Sequence, residues 1–163
     1  MINIYSKDAF EIATTMSSEQ IHSALDAVVE PPKWFRWPTA SSKIFQGEFS
    51  ADGFKIMRII KYRNSFLPII EGVITPTASG KMISVTMRLH RFVGIFMLVW
   101  LSGVIIGVVT FLAAALSWKM APLPALQVPL GMLVFGIALT SGGFWWEAKK
   151  TKPIIIKIFN KES

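Results

Sequence analysis

The chain has 163 residues, a formal charge of +7 and no cysteine, which excludes disulfides and thiolate chemistry. A length of this order ordinarily makes one domain. The basic excess invites nucleic acid as a partner, but no zinc-finger spacing, RNA-binding motif or compact Arg/Lys stripe supports one.

Residues 1–16 read as extended, with Phe10, Ile12 and Thr14 on one alternating face. Ser17 offers an N-cap and Gln20 stands three residues later, the pattern of a capping box. Ile21, Ala24, Leu25 and Val28 then recur at helical spacing, which predicts a short amphipathic helix over 18–29 ended by Pro31 and Pro32. The following Lys33-Trp34-Phe35-Arg36-Trp37-Pro38 sets aromatics among cations. Such a segment suits a headgroup boundary, or an ordinary loop that closes the soluble core.

From Phe45 to Arg88 the period changes to two. Phe45, Gly47 and Phe49 alternate with polar residues, and Asp52-Gly53 supplies a hairpin turn. Phe54, Ile56, Arg58 and Ile60 form one face of the next strand; Ile69–Thr75 and Lys81–Arg88 are two more, joined through Pro76–Gly80. A meander of at least four antiparallel strands results, needing the short helix over its apolar face.

Two stretches without an ionisable residue follow, Phe92–Leu116 and Leu123–Trp146, together 49 residues. About 20 apolar residues suffice to cross a hydrocarbon layer of roughly 30 Å as a helix. The expected organisation is a soluble domain at 1–91, a transmembrane helix at 92–116, a loop at 117–122 and a second transmembrane helix at 123–148. Arg88 and Arg91 precede the first span and Lys149, Lys150 and Lys152 follow the second, whereas the loop carries only Lys119. The positive-inside rule then puts both termini in the cytoplasm. The first 30 residues hold no signal-like apolar core, so the first span is expected to act as its own insertion signal. Lys152-Pro153 is expected to end the second helix, and Ile154–Phe159 reads as a strand over 153–160 that rejoins the sheet.

The fold class is thus an α+β membrane protein: a small cytoplasmic antiparallel sheet with one short amphipathic helix, plus a two-helix transmembrane hairpin. Gly103 and Gly107 form a Gly-x-x-x-Gly pair for helix packing, within the hairpin or with another copy or partner. Trp34, Trp37, Trp118, Trp145 and Trp146 are candidate interfacial anchors. The layout is similar to that of small bacterial inner-membrane proteins, an analogy of architecture alone.

No catalytic, cofactor-binding or metal-ligating set is expected. His22 falls on the polar side of the short helix, His90 sits at the membrane entrance, and neither has a partner at ligand spacing. The absence of a charged residue at midspan argues against an ion-coupled carrier. Candidate contacts to an anion or lipid headgroup are Arg36, Arg58, Arg63, Asn64, Arg88, His90 and Arg91, since arginine forks suit phosphate. The competing account is that residues 62–65 form a connection whose polar groups satisfy nearby backbone. Glu48, Glu71, Arg58 and Arg63 are alternatively cross-sheet ion pairs.

The leading functional reading is a non-enzymatic accessory or protein-interaction subunit held at the membrane, docking through an exposed sheet edge. The second is a lipid- or amphiphile-binding module whose curved sheet and short helix enclose an apolar pocket opening toward the headgroups, and the third a membrane-associated enzyme. Expected partners are membrane lipid and a protein partner or second copy, not nucleic acid.

Overall fold

The computed structural model describes residues 7–32, 43–118 and 126–160. In chain order its elements are β1 (Lys7–Thr14), α1 (Ser18–Val28), β2 (Val29–Glu30), β3 (Phe45–Phe49), β4 (Gly53–Arg58), β5 (Ile69–Thr77), β6 (Gly80–Arg88), α2 (Arg91–Trp118) and α3 (Gln127–Phe159). The segment holding Trp34, Arg36 and Trp37, and the loop around Lys119, lie outside the described residues.

The strands form one six-stranded sheet in the order β1-β6-β5-β4-β3-β2. β3 to β6 make the expected antiparallel meander, and β1 pairs antiparallel with β6, Lys7 opposite Arg88 and Thr14 opposite Lys81. The two-residue β2 pairs parallel with β3, a strand too short for its periodicity to announce it. β1 and β2 therefore occupy opposite edges, and α1 must cross the sheet to join them. The Ser17 hydroxyl accepts from the Gln20 N–H at 3.2 Å while the Gln20 side chain accepts from the Ser17 N–H at 2.8 Å, so the capping box forms. Ile21 and Leu25 bury against the sheet, as the spacing predicts.

Gly80 closes the β5–β6 hairpin at φ +143°, a conformation that a side chain would strain. Alternation then fixes the faces. Ile83, Val85 and Met87 of β6, Ile70 of β5, Phe54 and Ile56 of β4, Phe45 of β3 and Ile12 of β1 turn inward to one core. No element covers the other face among the described residues; Ala9, Glu11, Ala13 and Val73 are exposed there.

The chain's last strand, expected over 153–160, does not exist. Those residues continue α3, which runs unbroken through Pro153 to Phe159. A strand would place Lys157 on the same face as Ile155 and Phe159. The helix instead aligns Phe144, Ala148, Thr151, Ile155 and Phe159 in one buried stripe and leaves Pro153 and Lys157 exposed. Burial of each large apolar side chain stabilises by roughly 1.5–3 kcal/mol, so Phe144, Ile155 and Phe159 together outweigh the about 3 kcal/mol that an interior proline costs. Phe159 stacks on Phe54 with centroids 5.6 Å apart. The α3 terminus is tied to β1: Thr14 Oγ1 donates to the Phe159 carbonyl at 2.9 Å, and Lys152 Nζ lies 3.2 Å from Asp8 Oδ2. Both ends of the described chain thus meet in the sheet domain.

α2 and the first two-thirds of α3 pair as a hairpin that leaves most of its surface apolar and exposed, and both helices are long and apolar enough to cross a membrane. Their seam is not built on Gly103 and Gly107, at which an added Cβ would meet nothing within 4 Å. It is built on Gly136, where a Cβ would overlap the Trp100 ring and Leu101 lies alongside. An indole needs a facing residue without a side chain, and Gly136 supplies the space.

Candidate functional site

β4 brings Arg58 to the inward face two residues beyond Ile56, beneath the point where α3 leaves the hairpin and enters the domain core. There Glu147 is fully buried, and Arg58 Nη1 donates to its Oε2 at 3.1 Å. The Tyr62 hydroxyl, on the connection between β4 and β5, donates to Oε1. Both carboxylate oxygens are thereby occupied. The hydrogen bond to Glu147 raises the Tyr62 phenol above its usual range, helped by burial and by the carboxylate's charge; the Arg58 charge pulls weakly the other way. Arg58 Nε and Thr151 Oγ1, one helical turn beyond Glu147, are buried without a partner.

The same connection reaches further along α3. Asn64 Oδ1 accepts from the Phe66 N–H at 2.9 Å, and its Nδ2 donates to the Gly143 carbonyl at 3.4 Å. Phe66 lies against Gly143, close enough that a Cβ there would stand 3.1 Å from Phe66 Cβ. Asn64 therefore satisfies backbone, the second of the two roles its sequence context allows.

On the uncovered face β6 and β5 place Arg88 beside Glu71, with Nε donating to Oε2 at 2.9 Å and Nη2 to Oε1 at 2.5 Å. Lys55 Nζ approaches the same carboxylate at 3.5 Å. The Arg88 hydrogen bonds hold the Glu71 carboxyl below its usual range against an opposing cost of burial, and Glu71 in turn raises Arg88. Cross-sheet ion pairing does occur, then, but through Arg88 and Lys55; Arg58 turns to α3 instead.

Among the described residues, the anion-contact candidates consequently do not all meet at one site. Arg58 and Arg88 lie on opposite faces of the sheet, each with a carboxylate. Arg63, His90 and Arg91 are exposed, and His90 Nδ1 accepts from the Phe92 N–H at 3.2 Å. Trp145 is half-buried edge-on to Phe144 at 5.5 Å, Trp146 is 65% exposed with Lys150 Nζ 4.5 Å above its ring, and Trp118 closes α2. An open groove of about 450 Å³ runs along α1 past Ser18, His22, Asp26, Ile74 and Lys81. Among the described residues no three His, Asp or Glu side chains group to hold a metal.

Glu147 is the residue that sequence reasoning passed over. Its signal was available: it is the first acidic residue after Glu71, and it falls on the side of α3 marked by Phe144, Ala148 and Thr151. What the arrangement does chemically is clamp, because a carboxylate with both oxygens occupied and no access to solvent offers nothing to a substrate. No protein-family model, curated protein or solved structure matches the chain.

Proposed function

We propose that the chain is a small integral membrane protein of the bacterial inner membrane type, with both termini cytoplasmic, acting as a non-enzymatic accessory subunit that presents its sheet to a protein partner. The observation that carries this reading is the continuity of α3: one helix is at once half of the apolar hairpin and part of the core of the sheet domain. Such a joint fixes the attitude of the sheet relative to the bilayer, which a presenting surface needs and a tethered soluble enzyme does not. The cations at 88, 91, 149, 150 and 152 support the cytoplasmic placement of that domain.

The eight-residue edge strand β1 is the favoured docking element, because an edge strand offers unpaired backbone groups for strand addition. The space between sheet and helices is filled by Phe45, Phe54, Phe144 and Phe159, which favours docking on the outside over enclosure of an amphiphile. The test is purification of the intact chain in gentle detergent, alongside Ala9→Lys/Ala13→Lys on the exposed side of β1. A stoichiometric partner, or a second copy, that the double variant loses supports the reading. A monodisperse single chain, or a companion indifferent to the variant, sinks it.

A further inference from the structure

The hairpin register sets which residues share a level. Gly136 faces Trp100 and Leu101, and antiparallel helices advance together residue for residue, so Arg91 at the start of α2 comes level with Trp145 and Trp146 on α3. The contact of Phe66 with Gly143, and the Asn64 hydrogen bond to the same residue, bring the Lys61–Phe66 connection to that level also. Five cations are exposed there or one turn beyond: Lys61, Arg63, Arg91, Lys149 and Lys150. None forms an ion pair with a described carboxylate. The acid nearest in sequence to the two lysines, Glu147, is enclosed with Arg58 and Tyr62.

Two further details give this collar a direction. Arg91 opens α2, at the end where the helix dipole is already positive, and no acidic residue stands in the first turn to offset it. An external anion would. Trp146 points outward with the Lys150 ammonium over its ring, an amphipathic pair suited to the depth at which acyl chains give way to headgroups.

We propose that the collar of Lys61, Arg63, Arg91, Lys149 and Lys150 binds the phosphate groups of acidic phospholipids, gathering them around the base of the hairpin. The proposal rests on the membrane reading above and narrows its lipid contacts: Arg58, Arg88 and Asn64 are excluded, because Arg58 turns inward to the enclosed Glu147, Arg88 is forked on Glu71 and Asn64 serves backbone. Charge complementarity selects the partner, since a zwitterionic headgroup returns no net attraction and an acidic leaflet attracts each nearby cation.

The full chain, reconstituted in phosphatidylcholine vesicles, is examined with traces of spin-labelled phosphatidylglycerol or spin-labelled phosphatidylcholine. Phosphatidylglycerol is expected to be held in the motionally restricted shell about fivefold more strongly, the factor that one cation near an acidic surface supplies. The preference should fall towards parity when all five cations are replaced by glutamine. In the unaltered chain it should fall likewise at about 1 M salt, where the screening length is roughly 3 Å. Equal restriction of the two lipids overturns the proposal, as does a preference that survives either the substitutions or the salt. Loss of preference to inorganic phosphate, but not to chloride at equal ionic strength, also overturns it in favour of a soluble phosphate site. A chain that neither floats with the vesicles nor restricts either lipid overturns the membrane reading itself, and is thus told apart from failure of the collar alone.

Discussion

Arg58 and Glu147, separated by 89 positions in sequence, meet at 3.1 Å with the carboxylate wholly enclosed. This pair joins the sheet to the long helix at the height where apolar span becomes domain core. Removing one partner of an enclosed pair leaves the other charge uncompensated, which costs more than the pair itself contributes.

Glu147→Gln is therefore expected to destabilise the chain by roughly 3 kcal/mol, the low end for a broken buried pair, because Arg58 keeps 24% of its side-chain surface exposed. Arg58→Met/Glu147→Met should recover most of the loss. Thermal unfolding in detergent measures both; an unchanged Glu147→Gln midpoint would show that the pair bears no weight.

The two glycine sites should behave oppositely. Gly136→Val drives a side chain into Trp100 and should cost about 1–3 kcal/mol through overpacking, with partial rescue by Trp100→Ala. Gly103→Val enters open space and should leave unfolding of the single chain unaltered. Equal damage from both would place the helix seam elsewhere.

Pro153→Ala tests the end of α3. In a helix interior the exchange restores a donor and relieves a clash with the carbonyl of Lys149, so stability should rise by up to about 3 kcal/mol. In a strand beginning at 153 it would gain nothing of that size. A gain in helical circular dichroism should accompany the higher midpoint, and a lower midpoint would contradict the helical assignment.

Acid should weaken the uncovered face of the sheet. Arg88 lowers the folded-state pKa of Glu71 below its unfolded value of about 4.5. Its contribution is therefore complete above that value and is lost as pH falls through the lower, folded one. The amount is about 0.2–1 kcal/mol, typical of a partly exposed cross-strand pair. Glu71→Gln should lower stability at neutral pH by that amount and flatten the acid limb of the unfolding curve; an identical acid limb would assign the pH dependence to other carboxylates.

Much of this fold is written in local pattern. The Ser17–Gln20 box, the period-two runs of β4 and β6 and the turn at Asp52-Gly53 each act within a few residues and form where their spacing predicts, whereas β5 runs on through Pro76 to Thr77 and leaves only Ala78 and Ser79 to turn the chain. What escapes is what depends on distant partners. Ile154–Phe159 looks like a strand because β-branched residues favour one, and it becomes helix because Phe54, Thr14 and the core beneath lie waiting for a 3.6-residue stripe. The stripe is visible once the count begins at Phe144 rather than at Pro153. Arg58 shows the same limit. Its inward position follows from alternation, yet its partner stands on the last helix, and no local rule points from one to the other. Gly103 and Gly107 carry the familiar packing motif, but which glycine faces the partner helix is settled by the bulk of Trp100.

The unbroken course of α3 has a mechanical consequence. Thirty-three residues at 1.5 Å each make a shaft of about 50 Å, and its inner end is gripped by Phe54, Thr14, Asp8 and Arg58 without an intervening hinge loop. Set in a bilayer, it would act as a lever arm. Thinning of the lipid or a tug from a neighbouring helix would swing the whole sheet like a vane, rather than being absorbed by a slack tether.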